Sequence, residues 1–159
     1  MTFCNPYDEI LISKINGKND KINFSGKFKK GIDKKSNTIT KTLHLLRKRK
    51  LLKEQVFKIN IKKNIPHGSG LGGGSSNAAS LLNYFQSNKY LRLSKNKISN
   101  IAKQIGFDTP ISLKKKNTIL TGKKNKILRL NKKFNLDILI VYPNIICSTK
   151  KIYTNNKKI

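Results

Sequence analysis

Acidic residues are scarce in this 159-residue chain: seven Asp and Glu stand against 35 Lys and Arg, a formal charge of +28. Such an imbalance ordinarily points to a polyanionic partner. The basic set argues otherwise, because 31 of the 35 are lysines scattered from Lys14 to Lys158. Base and phosphate recognition favours arginine's planar fork, and single-strand binders interleave aromatics with their charges. With four arginines and 8% aromatic residues, no specific nucleic-acid partner is expected. Lys, Asn and Ile are the residues an A+T-rich genome enriches, so the charge reads as drift that leaves only a salt-sensitive affinity for polyanions. Cysteine is equally sparse. Cys4 and Cys147 stand far apart without other ligand types beside them, which excludes a disulfide framework and a zinc site and leaves inert thiols of a reducing compartment. No apolar run reaches the ~20 residues of a bilayer span, and the N-terminus has no signal-peptide core. A cytoplasmic protein without a membrane partner is expected, and 36% apolar residues suffice for one lean core.

What the chain does have is a concentration of glycine. Residues 66–76 read Pro66-His67-Gly68-Ser69-Gly70-Leu71-Gly72-Gly73-Gly74-Ser75-Ser76 and hold five of its ten glycines. Glycine permits positive φ and close approach to a ligand, so such a run can turn several N–H groups toward one anion. A helix follows at once, with Ser75 or Ser76 as its expected cap, and its free N–H groups favour the same anion. Familiar phosphate loops do not fit. A Walker loop needs Gly-Lys-Ser/Thr, but Ser75 follows Gly74. Gly68, Gly70 and Gly73 match a dinucleotide fingerprint, yet the carboxylate wanted about 20 residues on is missing, the next acid being Asp108. A protein-kinase glycine loop would carry a valine after its last glycine and lie in a hairpin.

The rest of the chain reads as α+β. Ile10-Leu11-Ile12 and Ile22-Asn23-Phe24, separated by Gly17 to Asp20, predict a β-hairpin. Helical spacing runs from Thr38 to Leu52 behind an Asn37 cap, and Phe57 to Ile61 alternates as a strand that delivers the loop. Ala78, Ala79, Leu81, Leu82 and Phe85 make the inner face of a helix ending near Asn88. Ser94 opens another helix that Gly106 stops. Residues 117–121, 127–130 and 136–142 read as strands, and the tail from Lys150 as disordered. Of the two histidines, His67 is expected to position backbone or face solvent, and His44 to sit on a helix face.

Pro66 to Ala79, PHGSGLGGGSSNAA, resembles the ATP-binding motif of the GHMP kinases, and Gly106-Phe107-Asp108-Thr109-Pro110 is similar to the segment carrying that family's catalytic aspartate. Weaker matches lie at Ser36-Asn37-Thr38-Ile39, at Lys63, and from Cys147-Ser148-Thr149 to Tyr153. The family's early Pro-Ala-Lys-Leu-Asn motif, an early Gly-Tyr-His histidine and a later Gly-Thr-Gly-rich motif have no counterpart. The resemblance therefore implies the middle of a two-domain kinase cut at both ends: an incomplete N-terminal domain of the ribosomal protein S5 domain 2-like type over 1–130, then the start of a C-terminal domain over 131–159. It implies ATP and Mg2+ as cofactors, with residues 66–76, Asn37 and Lys63 around the nucleotide, Ser76 or Ser75 toward the metal and Asp108 as general base. The substrate implied is a cytidyl diphosphate-linked sugar alcohol, phosphorylated on a hydroxyl in isoprenoid precursor biosynthesis. Another small-molecule kinase of the family, a catalytically inactive remnant, or a basic nucleic-acid-binding protein stand as alternatives, and the oligomeric state is open.

Overall fold

The computed structural model describes residues 2–121, 126–132 and 134–143. Its centre is β3 (Val56–Lys62), whose Phe57, Ile59 and Ile61 are fully buried while Lys58 and Lys62 face water, the two-residue alternation of a sheet covered on one face. β1 (Glu9–Ile15) pairs antiparallel with one edge of β3 and β2 (Lys21–Ser25) parallel with the other, giving the order β1-β3-β2. This corrects the hairpin expected of the first two strands. Both strands form where expected, but they alternate half-buried and exposed residues, a pattern suited to edges. The fully apolar inner row of β3 takes the place between them.

The short link across β3 is held by one ion pair. Asp20 accepts the Phe57 N–H at 2.8 Å and both Nε and Nη2 of Arg47, at 3.1 and 2.9 Å. Arg47 also donates to the carbonyls of Lys53 and Gln55. The crossover, the C-terminal turn of the first helix and the start of β3 thus share one guanidinium.

That helix, α1 (Thr38–Lys48), is capped by Asn37, whose side chain accepts from the Thr40 N–H at 2.9 Å. It ends four residues short of the expected Leu52. Lys50 takes a left-handed φ of 53° and the Leu51 N–H reaches back to the Leu46 carbonyl, a Schellman stop, and Leu52 enters the core from the loop. α2 (Gly73–Ser87) and α3 (Lys95–Ile105) follow, the latter capped by Ser94 and stopped at Gly106 as expected. Ile39, Leu43 and Leu46 of α1, Leu81, Leu82 and Phe85 of α2, and Ile101 and Ile105 of α3 close over the β3 row as one core. The Phe57 and Phe85 rings meet at 4.8 Å. Truncating either would cost about 3–5 kcal/mol.

A single turn, α4 (Thr109–Ser112), and a hairpin of β4 (Thr118–Thr121) and β5 (Lys126–Arg129) complete the described elements. The strand expected over 136–142 does not form. Leu136, Ile138, Leu139 and Val141 are largely exposed and pair with no strand, because a continuous apolar strand needs sheet neighbours on both sides and the described residues offer none there. The tail from Lys150 and the stretch from Cys147 to Tyr153 lie outside the described residues. Among those described, no helix is long and apolar enough to cross a membrane.

Candidate active site

β3 hands the chain directly to the glycine loop, and the loop opens α2. Gly68, Gly70 and Gly72 all have positive φ, at 71°, 75° and 69°. Gly72 decides the geometry, since it is the N-cap in left-handed conformation with no side-chain cap bond. The serine cap expected from the sequence is therefore absent: the cap lies at Gly72, three residues before Ser75, and the helix starts at Gly73, which places Ser75 and Ser76 inside its first turn. The first helical amide to find a backbone acceptor is that of Ser76, bonded to the Gly72 carbonyl at 2.9 Å. The N–H groups of Gly73, Gly74 and Ser75 ahead of it have no intrahelical acceptor, and no acidic residue stands in the first turn. A Cβ built on Gly70 or Gly72 would meet nothing within 4 Å, so the loop ahead of the helix has open space beside it, whereas Gly73 and Gly74 are backed by Ile65 and Thr38. Free amides, a positive helix end and open space fit a phosphate chain.

The other expected site residues are distributed around this loop. Asn37 spends its whole side chain locally, accepting from Thr40 and donating to the carbonyls of Asp33 and Lys34. Asp33 is held below its ordinary pKa, first by the Ser36 hydroxyl and then by the Lys35 N–H. The next residue, Thr38, donates its hydroxyl to the Gly74 carbonyl at 2.8 Å, which ties the α1 N-terminus to the start of α2. His67 is exposed, as is His44 on α1. Lys63 is buried and its ammonium is paired with Asp8.

Asp108 occupies the N-cap position of α4 but makes no capping bond. Its carboxylate is half-buried, and among the described residues no donor or cation engages it. Its backbone is firmly set: the Asp108 carbonyl accepts from both the N–H and the hydroxyl of Ser112, and the Thr109 N–H donates to Gly106. The turn lies against the helix start, since a Cβ on Gly106 would stand 3.2 Å from Thr109 Oγ1 and 3.6 Å from Ser75 Oγ. Glycine at 106 is thus a matter of space. Its φ of −175° is ordinary extended backbone.

Three contributors escaped the sequence reading. Asp8, with no exposed side-chain surface, accepts the N–H groups of Asn64 and Ile65 on Oδ1, both at 2.8 Å, and on Oδ2 the Asn77 side-chain amide at 2.8 Å and the Lys63 ammonium. Arg129 on β5 donates to the carbonyls of Pro110, Ile111 and Lys114 and to the Thr118 hydroxyl. Burial lowers its pKa from the ordinary value, which the surrounding acceptors do not reverse. Thr109 is fully buried, and among the described residues its hydroxyl has no hydrogen-bond partner. The available signal for the first two was rarity: Asp8 is one of seven acids and Arg129 one of four arginines.

A family model described as the GHMP kinases N-terminal domain matches residues 37–116, a span that contains the Asn37 cap, the glycine loop and Asp108. The chain belongs to the GHMP kinases. A 4-diphosphocytidyl-2-C-methyl-D-erythritol kinase of Pelagibacter ubique is 42% identical over 97% of this chain and 54% of its own length. One of Lawsonia intracellularis is 37% identical over 93% of the chain and 49% of its own length. The chain spans about half the length of these two curated relatives. Among solved structures, a 4-(cytidine 5'-diphospho)-2C-methyl-D-erythritol kinase superposes with a TM-score of 0.60 at 23% identity, over 77% of this chain and 41% of that one. A homoserine kinase from Cytophaga hutchinsonii gives 0.53 at 22% identity, over 64% and 33%. At such identities the two structures speak for the fold alone, a mixed α and β arrangement of the GHMP kinase type.

Proposed function

We propose that this chain is the nucleotide-binding part of an ATP-dependent kinase that phosphorylates the 2-hydroxyl of 4-diphosphocytidyl-2-C-methyl-D-erythritol in the non-mevalonate route to isoprenoid precursors. The observation that carries the reading is the juxtaposition of free α2 amides with the unengaged Asp108, two residues beyond the Gly106 that packs near Ser75. The substrate class comes from the names of the relatives, with the 42% identity extending over 97% of the chain.

In this reading the residues divide the work as phosphoryl transfer requires, by positioning and charge neutralisation. The loop from Pro66 to Gly72 and the amides of Gly73, Gly74 and Ser75 bind the ATP phosphates, and the α1 N-terminus at Asn37 borders the nucleotide. Lys63 acts from behind the loop through its bond to Asp8, since its ammonium is not free to reach a phosphate. Asp108 orients the acceptor hydroxyl and takes its proton at a carboxylate oxygen. Ser76 or Ser75 offers a hydroxyl to Mg2+, which when bound would neutralise phosphate charge. The described residues hold no cluster of three acidic, histidine or cysteine ligands, so the metal would be held largely by ATP itself. The division into a nucleotide-binding unit over 1–130 and the start of a second over 131–159 belongs to the same proposal.

The test is ADP release by the purified chain with ATP, Mg2+ and the cytidyl-erythritol substrate, beside Asp108→Asn. Substrate-dependent release is expected, falling about 10²–10⁴-fold in the variant with ATP affinity unchanged. Release that persists in the variant would remove Asp108 from the chemistry. ATP binding without turnover in either form would reduce the reading to nucleotide binding.

A further inference from the structure

The glycine loop is flanked by two short segments, Asn64-Ile65 before it and the second turn of α2 beginning at Asn77 after it. Both are bonded to the same carboxylate. Asp8 Oδ1 takes the two backbone N–H groups on the near side, and Oδ2 takes the Asn77 amide on the far side. The Ile65 side chain closes the same gap from within, since a Cβ on Gly73 would stand 3.1 Å from Ile65 Cγ2. Lys63 supplies the counter-charge without which a carboxylate so deeply buried would not be tolerated.

A residue serving only the general stability of the fold has no need to contact both ends of one loop. A loop with positive-φ glycines at 68, 70 and 72 has few side-chain contacts of its own to fix it and must be held at its ends. We propose that Asp8 is the positioning residue of the glycine loop: its carboxylate fixes the distance between the end of β3 and the start of α2, and with it the aim of the loop amides at the phosphates. This deepens the nucleotide-binding reading above and rests on it for the identity of the ligand. The arrangement places the determinant of nucleotide affinity 58 residues before the loop begins at Pro66, on a side chain that touches no ligand.

Two variants test it. Asn77→Ala cuts only the far limb and leaves the Asp8–Lys63 pair intact. The double variant Asp8→Ala/Lys63→Met removes the whole clamp without stranding a buried ammonium. Glu9→Gln, which alters the neighbouring exposed contacts with Lys62 and the Asn64 side chain but leaves every donor to Asp8 in place, is the control. The first readout is 15N relaxation at the Gly68, Gly70 and Gly72 amides, and the second is the dissociation constant for ATP. In the unsubstituted protein and in Glu9→Gln the three glycines should have order parameters near ~0.85, like α3, and in Asn77→Ala they should fall below about 0.6 while α3 stays unchanged. ATP should bind about tenfold or more weakly in both clamp variants. Glycines equally ordered in all proteins, already mobile before substitution, or loosened only in step with α3 would overturn the proposal. Failure of the unsubstituted chain to bind ATP counts against the nucleotide reading alone, and the relaxation data still decide the clamp.

Discussion

On the loop side of the site, polar side chains are spent on holding backbone. Asp8 takes four donors, Asn37 makes three local bonds, and Thr38 reaches across to the Gly74 carbonyl. Beyond Ser75, on the side of the α4 turn, the polar groups are left free: among the described residues the Asp108 carboxylate has no donor and the buried Thr109 hydroxyl no partner. There the holding is done from behind, by Arg129 on the carbonyls that end α4. The difference separates two jobs. In the proposed reading, side chains on the loop side fix the amides that would bind phosphate, whereas on the turn side the carboxylate proposed to react is left unsatisfied and its backbone is fixed by other residues.

The comparison breaks most sharply at Gly72. A β-branched residue cannot hold a φ of 69° without strain, so Gly72→Val should shift the helix start and its amides together. ATP binding measured by calorimetry is expected to fall by about two orders of magnitude, while Asp108→Asn leaves it unchanged. Equal losses in the two variants would mean that the sides are not separate.

Arg129→Met tests the turn side. It strands the Pro110 carbonyl, on a buried residue, at about 1–3 kcal/mol, while the Ile111 carbonyl keeps the Lys114 N–H. Thermal unfolding should register that loss. Turnover should drop further than stability alone requires, because α4 carries Asp108 at its head, and the ATP dissociation constant should stay where it was.

The two sides were also unequally legible in the sequence. Glycine loop, Asn37 cap, β3 and the α3 boundaries follow from contacts only a few residues apart, and each was visible as spacing or as a cap signal. The β1-β3-β2 order was not, since it depends on β3 displacing β1 from β2 across 41 residues from Ile15 to Val56, and two apolar runs with a turn between them read locally as a hairpin. Asp8 and Arg129 were missed for the same reason, because their partners lie 55 and more residues away in one case and 11 to 19 in the other. Composition nevertheless carried a trace of them. In a chain rich in lysine and poor in acid and arginine, several of the rarer residues are bonding hubs: Asp8, Asp20 and Arg47 through ion pairs, and Arg129 through carbonyls and the Thr118 hydroxyl.

The smallest expected effect concerns Thr109, and its sign is the informative part. A hydroxyl buried without a partner costs free energy that an isosteric methyl does not, so Thr109→Val should raise stability by about 1 kcal/mol. On the loop side the corresponding change, Thr38→Val, deletes a made bond to the Gly74 carbonyl and should lower stability by a similar amount. Opposite signs in chemical denaturation would sharpen the contrast between a side that satisfies its polar groups and one that withholds them. A destabilised Thr109→Val would instead show that this hydroxyl is satisfied in solution, through the space beside Gly106 that a Cβ would fill and that Ser75 Oγ also borders. In that case the free groups near Ser75 reduce to the Asp108 carboxylate alone.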